Sequence, residues 1–86
     1  MSTHTIDDLE QRVRAFVTSN FHVADTAGLT RDTSLLDTGI IDSTGYLDLF
    51  KWIEEDFERS VASDDMAPSN FESIARIASY LQRKLA

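Results

Sequence analysis

Apolar residues recur at helical spacing in three stretches of this chain, and two stretches between them have no steady period. From Ile6 to about Ser19 the apolar positions are Ile6, Leu9, Val13, Phe16 and Val17, the three-and-four spacing that lays one face of a helix against a core. Thr5 stands where a cap is needed, and Asp7, Asp8 and Glu10 suit the positive end of the dipole. A second helix is predicted from Ser43 to about Glu58, burying Tyr46, Leu49, Phe50, Ile53 and Phe57. A third runs from Phe71 to about Lys84, with Asn70 as its cap, Glu72 in the first turn, and Arg83 and Lys84 in the last. Its stripe is Phe71, Ile74, Ile77, Ala78, Leu81 and Leu85.

The two irregular stretches differ in kind. Residues 22–41 carry Leu29, Leu35, Leu36, Ile40 and Ile41, too many apolar side chains for a solvated linker. A structureless loop of that length is uncommon inside a compact domain, so it is expected to be a folded lid with a helical turn near Ser34. Residues 60–70 are polar, with Val61 and Met66 as the expected buried points and room for one short helix ended by Pro68. The expected fold is all-α: a small four-helix bundle, three long helices and one short, with a long ordered loop between helices 1 and 2.

Eighty-six residues are expected to form one domain, residues 1–86, with a thin core. The chain has no cysteine, which excludes disulfides, thiolate metal sites and thiol catalysis together. His4 and His22 are not spaced as metal ligands. No apolar run approaches the ~20 residues of a membrane span, and the N-terminus lacks the pattern of a signal peptide. A cytoplasmic, monomeric protein with no membrane association is the expectation.

Charge refines that expectation. The net charge is −7, which argues against a nucleic-acid partner, since phosphate backbones call for a basic stripe. Asp42, Asp48, Glu54, Glu55, Asp56 and Glu58 face only Lys51 across the second helix, a net of −5, whereas the segment from Phe71 onward is +2. An acidic helix is commonly no more than a solvated face. It can also steer basic partners.

The junction Gly39-Ile40-Ile41-Asp42-Ser43-Thr44-Gly45 concentrates the candidate chemistry. Asp42 has the side chain and position of an N-cap, which leaves Ser43 as the first helical residue with its hydroxyl free. Unpaired N–H groups and the dipole make that point favourable for a phosphate oxygen. Gly45 costs a helix about 1 kcal/mol against alanine, so something must come close to it. Ser43 lacks what a nucleophile needs: no histidine or lysine accompanies it and no Gly-x-Ser-x-Gly elbow is present. Glu54 and Glu55 diverge by ~100° on a helix, and Asp64 and Asp65 lack calcium-loop spacing. An enzyme is not expected.

The run Leu35-Leu36-Asp37-x-Gly39-Ile40-Ile41-Asp42-Ser43-x-Gly45, followed by an acidic amphipathic helix, resembles the acyl carrier protein family. The stretch Asn70-Phe71-Glu72-Ser73-Ile74-Ala75-x-Ile77-Ala78-x-Tyr80-Leu81 is similar to the last helix of stand-alone bacterial members. The resemblance spans nearly the whole chain. It implies a four-helix bundle that holds cargo as a thioester on a 4′-phosphopantetheine arm, attached to Ser43 by a phosphopantetheinyl transferase. It also implies that Asp42 and the second helix are recognised, with Thr44, Leu47 and Lys51 giving specific contacts and Asp48, Glu54 and Glu55 the steering charge. The arm supplies the thiol, so a chain without cysteine can carry thioesters.

Two departures bear on the cargo. Asp-Ser-Thr-Gly stands where many fatty-acid carriers have Asp-Ser-Leu and a non-glycine residue, and resembles carriers served by free-standing adenylating ligases for acyl or aminoacyl groups. Phe50 replaces a smaller aliphatic residue, and Phe57 and Phe71 are expected to crowd the same interior. The resemblance therefore implies a short acyl or aminoacyl cargo in polyketide-like or nonribosomal-peptide-like biosynthesis. Its users would be an adenylating ligase and a downstream acyltransferase, ketosynthase or condensation-type enzyme. A fatty-acid synthesis carrier is the alternative within the family. Outside it, the alternative is an acidic helical adaptor with no prosthetic group.

Overall fold

Three helices account for the regular structure of a computed structural model that describes residues 5–21, 23 and 27–85. His4 and His22 lie outside the described residues. Helix α1 spans Ile6–Asn20, and Thr5 caps it by accepting from the Asp8 N–H at 3.1 Å, a contact of about 1 kcal/mol. It stops where Phe21 turns extended, with the Phe21 N–H donating to the Val17 carbonyl at 3.0 Å. Helix α2 spans Ser43–Phe57 behind Asp42 and ends as Glu58 takes a left-handed conformation, φ 53°. Helix α3 spans Ile74–Leu85.

Leu9, Val13, Phe16 and Val17 of α1, Leu49, Ile53 and Phe57 of α2, and Ile74, Ile77, Ala78 and Leu81 of α3 share one buried cluster. Each large side chain taken fully out of water contributes about 1.5–3 kcal/mol. Helix α1 packs on α3, and aromatic contacts tie α2 to α1 and to the segment leading into α3: Trp52 stacks on Phe16 (4.7 Å, 20°), and Phe50 meets Phe71 edge to face at 4.9 Å. Trp52 thus packs against α1. Phe57 also lies on that side, 5.3 Å from the Trp52 ring, so it does not crowd the space around Phe50 and Phe71.

The lid is folded. Leu29, Leu35 and Ile41 are buried, while Leu36 stays exposed. The expected turn forms at Ser34, whose carbonyl accepts from the Thr38 N–H at 3.2 Å. Gly39 then adopts φ +76°, open to glycine at no steric cost, and reverses the chain so that the Ile41 N–H donates to the Leu35 carbonyl at 3.0 Å. The Leu35 N–H donates to the Glu72 carbonyl, and the Ala75 N–H to the Arg31 carbonyl, both at 2.9 Å. Arg31 grips Glu10 with two guanidinium nitrogens, and Arg14 donates to the Leu29 carbonyl.

Three expectations are corrected. The fourth helix is not formed: Ser63–Asp65 and Pro68–Asn70 are separate 3₁₀ turns, because Pro68 disfavours α-conformation at the residue before it. Helix α3 starts at Ile74 rather than Phe71. Its first turn is closed by the Ser73 hydroxyl, which accepts from the Arg76 N–H at 3.2 Å. Asn70 instead donates to the Asp65 carbonyl (2.9 Å) and accepts from Arg83 (3.3 Å). Met66 is exposed, while Tyr80, which sequence pattern left out of the core, is buried.

Candidate functional site

Asp42 has a β-region backbone, and its carboxylate accepts from the Gly45 N–H at 2.7 Å, while its carbonyl accepts from the Tyr46 N–H at 3.1 Å. Ser43 follows as the first helical residue. It is exposed, and its hydroxyl has no hydrogen-bond partner among the described residues. The Ser43 and Thr44 N–H groups precede the first intrahelical bond, so the positive end of α2 opens beside that hydroxyl. Gly45 explains itself internally: a Cβ there would lie 2.7 Å from Phe21 Cε1 and 3.1 Å from Ile41 Cγ2. The close neighbours are Phe21 and the fully buried Ile41, and their packing fixes where α2 begins.

A cleft of about 470 Å³ lies beside Ser43, lined chiefly by Leu36, Tyr46, Phe50, Met66 and Phe71, with Asp37 and Glu72 at its edge. The Tyr46 hydroxyl crosses its base and donates to the Phe71 carbonyl at 2.8 Å. Partial burial, with Glu72 nearby, raises the Tyr46 pKa above its usual value, so this donor keeps its proton at neutral pH. Phe71 is 1% exposed and packs edge to face on Tyr80 at 5.0 Å behind it. Tyr80 in turn donates to Asp65 at 3.1 Å, and Lys84 reaches the same carboxylate at 3.3 Å. This pair pins the segment bearing Met66 to α3. Together the Tyr80 hydroxyl, first, and Lys84 hold Asp65 below the usual carboxylate range.

The other residues singled out by sequence all lie on the exposed side of α2. Leu47 is 65% exposed one turn after Ser43, with Thr44 and Glu54 also in solvent. Asp48, Lys51 and Glu55 turn toward α1, where they line a broader groove of about 660 Å³ with Arg12, Trp52 and Asp56. Helix α2 therefore separates its site residues into two rims. Leu36 and Met66, at 48% and 43% exposure, were missed as site residues. With Leu47 they are the exposed large apolar side chains of the described residues, and all three lie around Ser43 or its cleft. The only available signal was that Leu36 and Met66 fall in irregular stretches whose burial no period could fix.

Among the described residues no cluster of acidic or histidine side chains could hold a metal, and no helix is long and apolar enough to cross a membrane. No family model matches the chain. The chain is 24% identical over 75 residues to a protein named probable acyl carrier protein PigG from Serratia sp. (strain ATCC 39006), a match covering 87% of this chain and 86% of that one. That similarity is distant but extends over most of both chains.

Proposed function

We propose that this chain is a discrete carrier protein, not itself a catalyst. Ser43 would receive a 4′-phosphopantetheine arm from coenzyme A through a phosphopantetheinyl transferase, its oxygen losing its proton and taking the phosphorus as the pyrophosphate bond breaks and adenosine 3′,5′-bisphosphate leaves. The arm would supply the thiol on which a short acyl or aminoacyl cargo is held as a thioester. The observation that carries this reading is the exposed Ser43 hydroxyl, left unpartnered because Asp42 caps Gly45 instead. The residues present fit the group: the open N–H groups of Ser43 and Thr44 suit a phosphodiester, and the adjoining cleft gives the arm an apolar surface to lie against.

Recognition follows the same geometry. Leu47, Leu36 and Met66 offer apolar contacts around the attachment point, and Thr44 and Lys51 add polar ones. Asp48, Glu54 and Glu55 steer basic partner surfaces, raising encounter rate more than affinity. The partners are the transferase, an adenylating ligase, and a downstream acyltransferase, ketosynthase or condensation-type enzyme of specialised-metabolite synthesis.

Mass spectrometry after incubation with coenzyme A and a promiscuous transferase tests the proposal. The protein should gain one arm, and Ser43→Ala should abolish the gain. A chain that stays at its sequence mass would be an acidic adaptor.

A further inference from the structure

The cleft beside Ser43 is open to solvent at its rim and sealed at its base. Tyr46 and Phe50 come from α2, and Phe71 from the segment leading into α3. The Tyr46 hydroxyl bonds the Phe71 backbone, and the Phe50 ring abuts the Phe71 ring. Phe71 itself is backed by Tyr80 and is part of the main core cluster. A chain entering the core between α2 and α3 along this cleft would have to break the Tyr46 bond and separate the two phenyl rings. The core behind them is out of water, with Leu49, Ile53, Ile74, Ile77 and Leu81 all at most 1% exposed, and protein interiors of this kind are close-packed with few voids.

We infer that Tyr46, Phe50 and Phe71 form an aromatic floor that keeps the cargo in the outer cleft and out of the core, making Phe50 and Tyr46 determinants of cargo length. This rests on the carrier reading and deepens it. A compact acyl group lies on the floor between Leu36 and Met66. A long chain finds no room below and remains in solvent. Tyr46 acts as a latch, because its bond to Phe71 joins the two walls where they would part.

The test compares thermal melting of the protein carrying an acetyl- or dodecanoyl-phosphopantetheine arm, each transferred to the Ser43 oxygen from the corresponding acyl-coenzyme A with release of adenosine 3′,5′-bisphosphate and verified by mass. The wild type should melt at the same temperature in both forms. Phe50→Ala should open the floor, so that its dodecanoyl form melts at least ~4 °C above its acetyl form, as internal binding stabilises a domain of this size. Tyr46→Phe, which keeps the ring and removes the latch, should fall between them. Should Phe50→Ala fold poorly, Phe50→Val takes its place. The same forms of the wild type can be compared by methyl NMR, where dodecanoyl should leave the Leu49, Ile53 and Ile77 signals unmoved. A wild type stabilised by the long chain, or variants that gain nothing from it, would overturn the inference alone. Failure to gain the arm at all would remove the carrier reading beneath it.

Discussion

The two grooves that flank α2 use aromatic rings in opposite ways. On the α1 side the rings are spent on fastening: Trp52 lies flat on Phe16 and edge-on to Phe57, and the groove above them is walled by Arg12, Asp48, Lys51, Glu55 and Asp56. On the side of Ser43 the rings of Tyr46, Phe50 and Phe71 leave an apolar hollow, with Leu36 and Met66 at its rim. The α1-side groove is the broader of the two, yet it holds neither the candidate hydroxyl nor an apolar surface of comparable extent. Size alone would point to the side of the helix away from Ser43. The exposed apolar residues Leu36 and Met66 lie on the Ser43 side, in the smaller of the two hollows.

Perturbing the fastening should give the largest effect. Phe16→Ala removes a ring stacked on Trp52 and packed against Phe21, and should cost about 3–5 kcal/mol in urea unfolding. Cleft-side changes should be gentler. Gly39→Ala forces a Cβ into left-handed backbone and should cost about 1–2 kcal/mol, measured the same way. Tyr46→Phe leaves the Phe71 carbonyl without its donor, which should cost about 1 kcal/mol.

The Asp65 contact that pins the Met66 segment should show in pH. Its carboxyl is held low in the folded state, so its contribution is present above the unfolded-state pKa and is lost as pH falls through the folded one. Asp65→Asn should therefore flatten the acid limb of the stability–pH curve relative to wild type, read from denaturant midpoints between neutral pH and the acid range. The smallest structural effect belongs to Glu54→Lys with Glu55→Lys. Both side chains are exposed, so stability should hold while transfer to a basic partner slows at low salt and loses its salt dependence. An unchanged rate would remove steering from the function of α2.

Sequence pattern located α1, α2 and the Asp42 cap because each is a local matter of spacing and one side chain. The place of Ser43 as an exposed first helical residue was legible for the same reason. The start of α3 was not, since Asn70 and Ser73 are both good caps and Phe71 fits the stripe. What decides is remote: the lid takes the Glu72 carbonyl and the Ala75 N–H into its own hydrogen bonds, which holds residues 71–73 out of the helix. The cleft was illegible because it lies between segments far apart in the chain, with Leu36, Phe50 and Phe71 meeting only after folding. Phe57 looked equivalent to Phe50 by type and, seven residues on, shares its face of the helix, but it lies two turns further along α2, where it meets Trp52.

Trp52 is the one tryptophan of the chain, nine residues beyond Ser43 and so about half a revolution around α2. Its emission therefore monitors the junction with α1, where it touches Phe16 and Phe57, from the face opposite the serine. Fluorescence can follow the parting of those two helices with no added label.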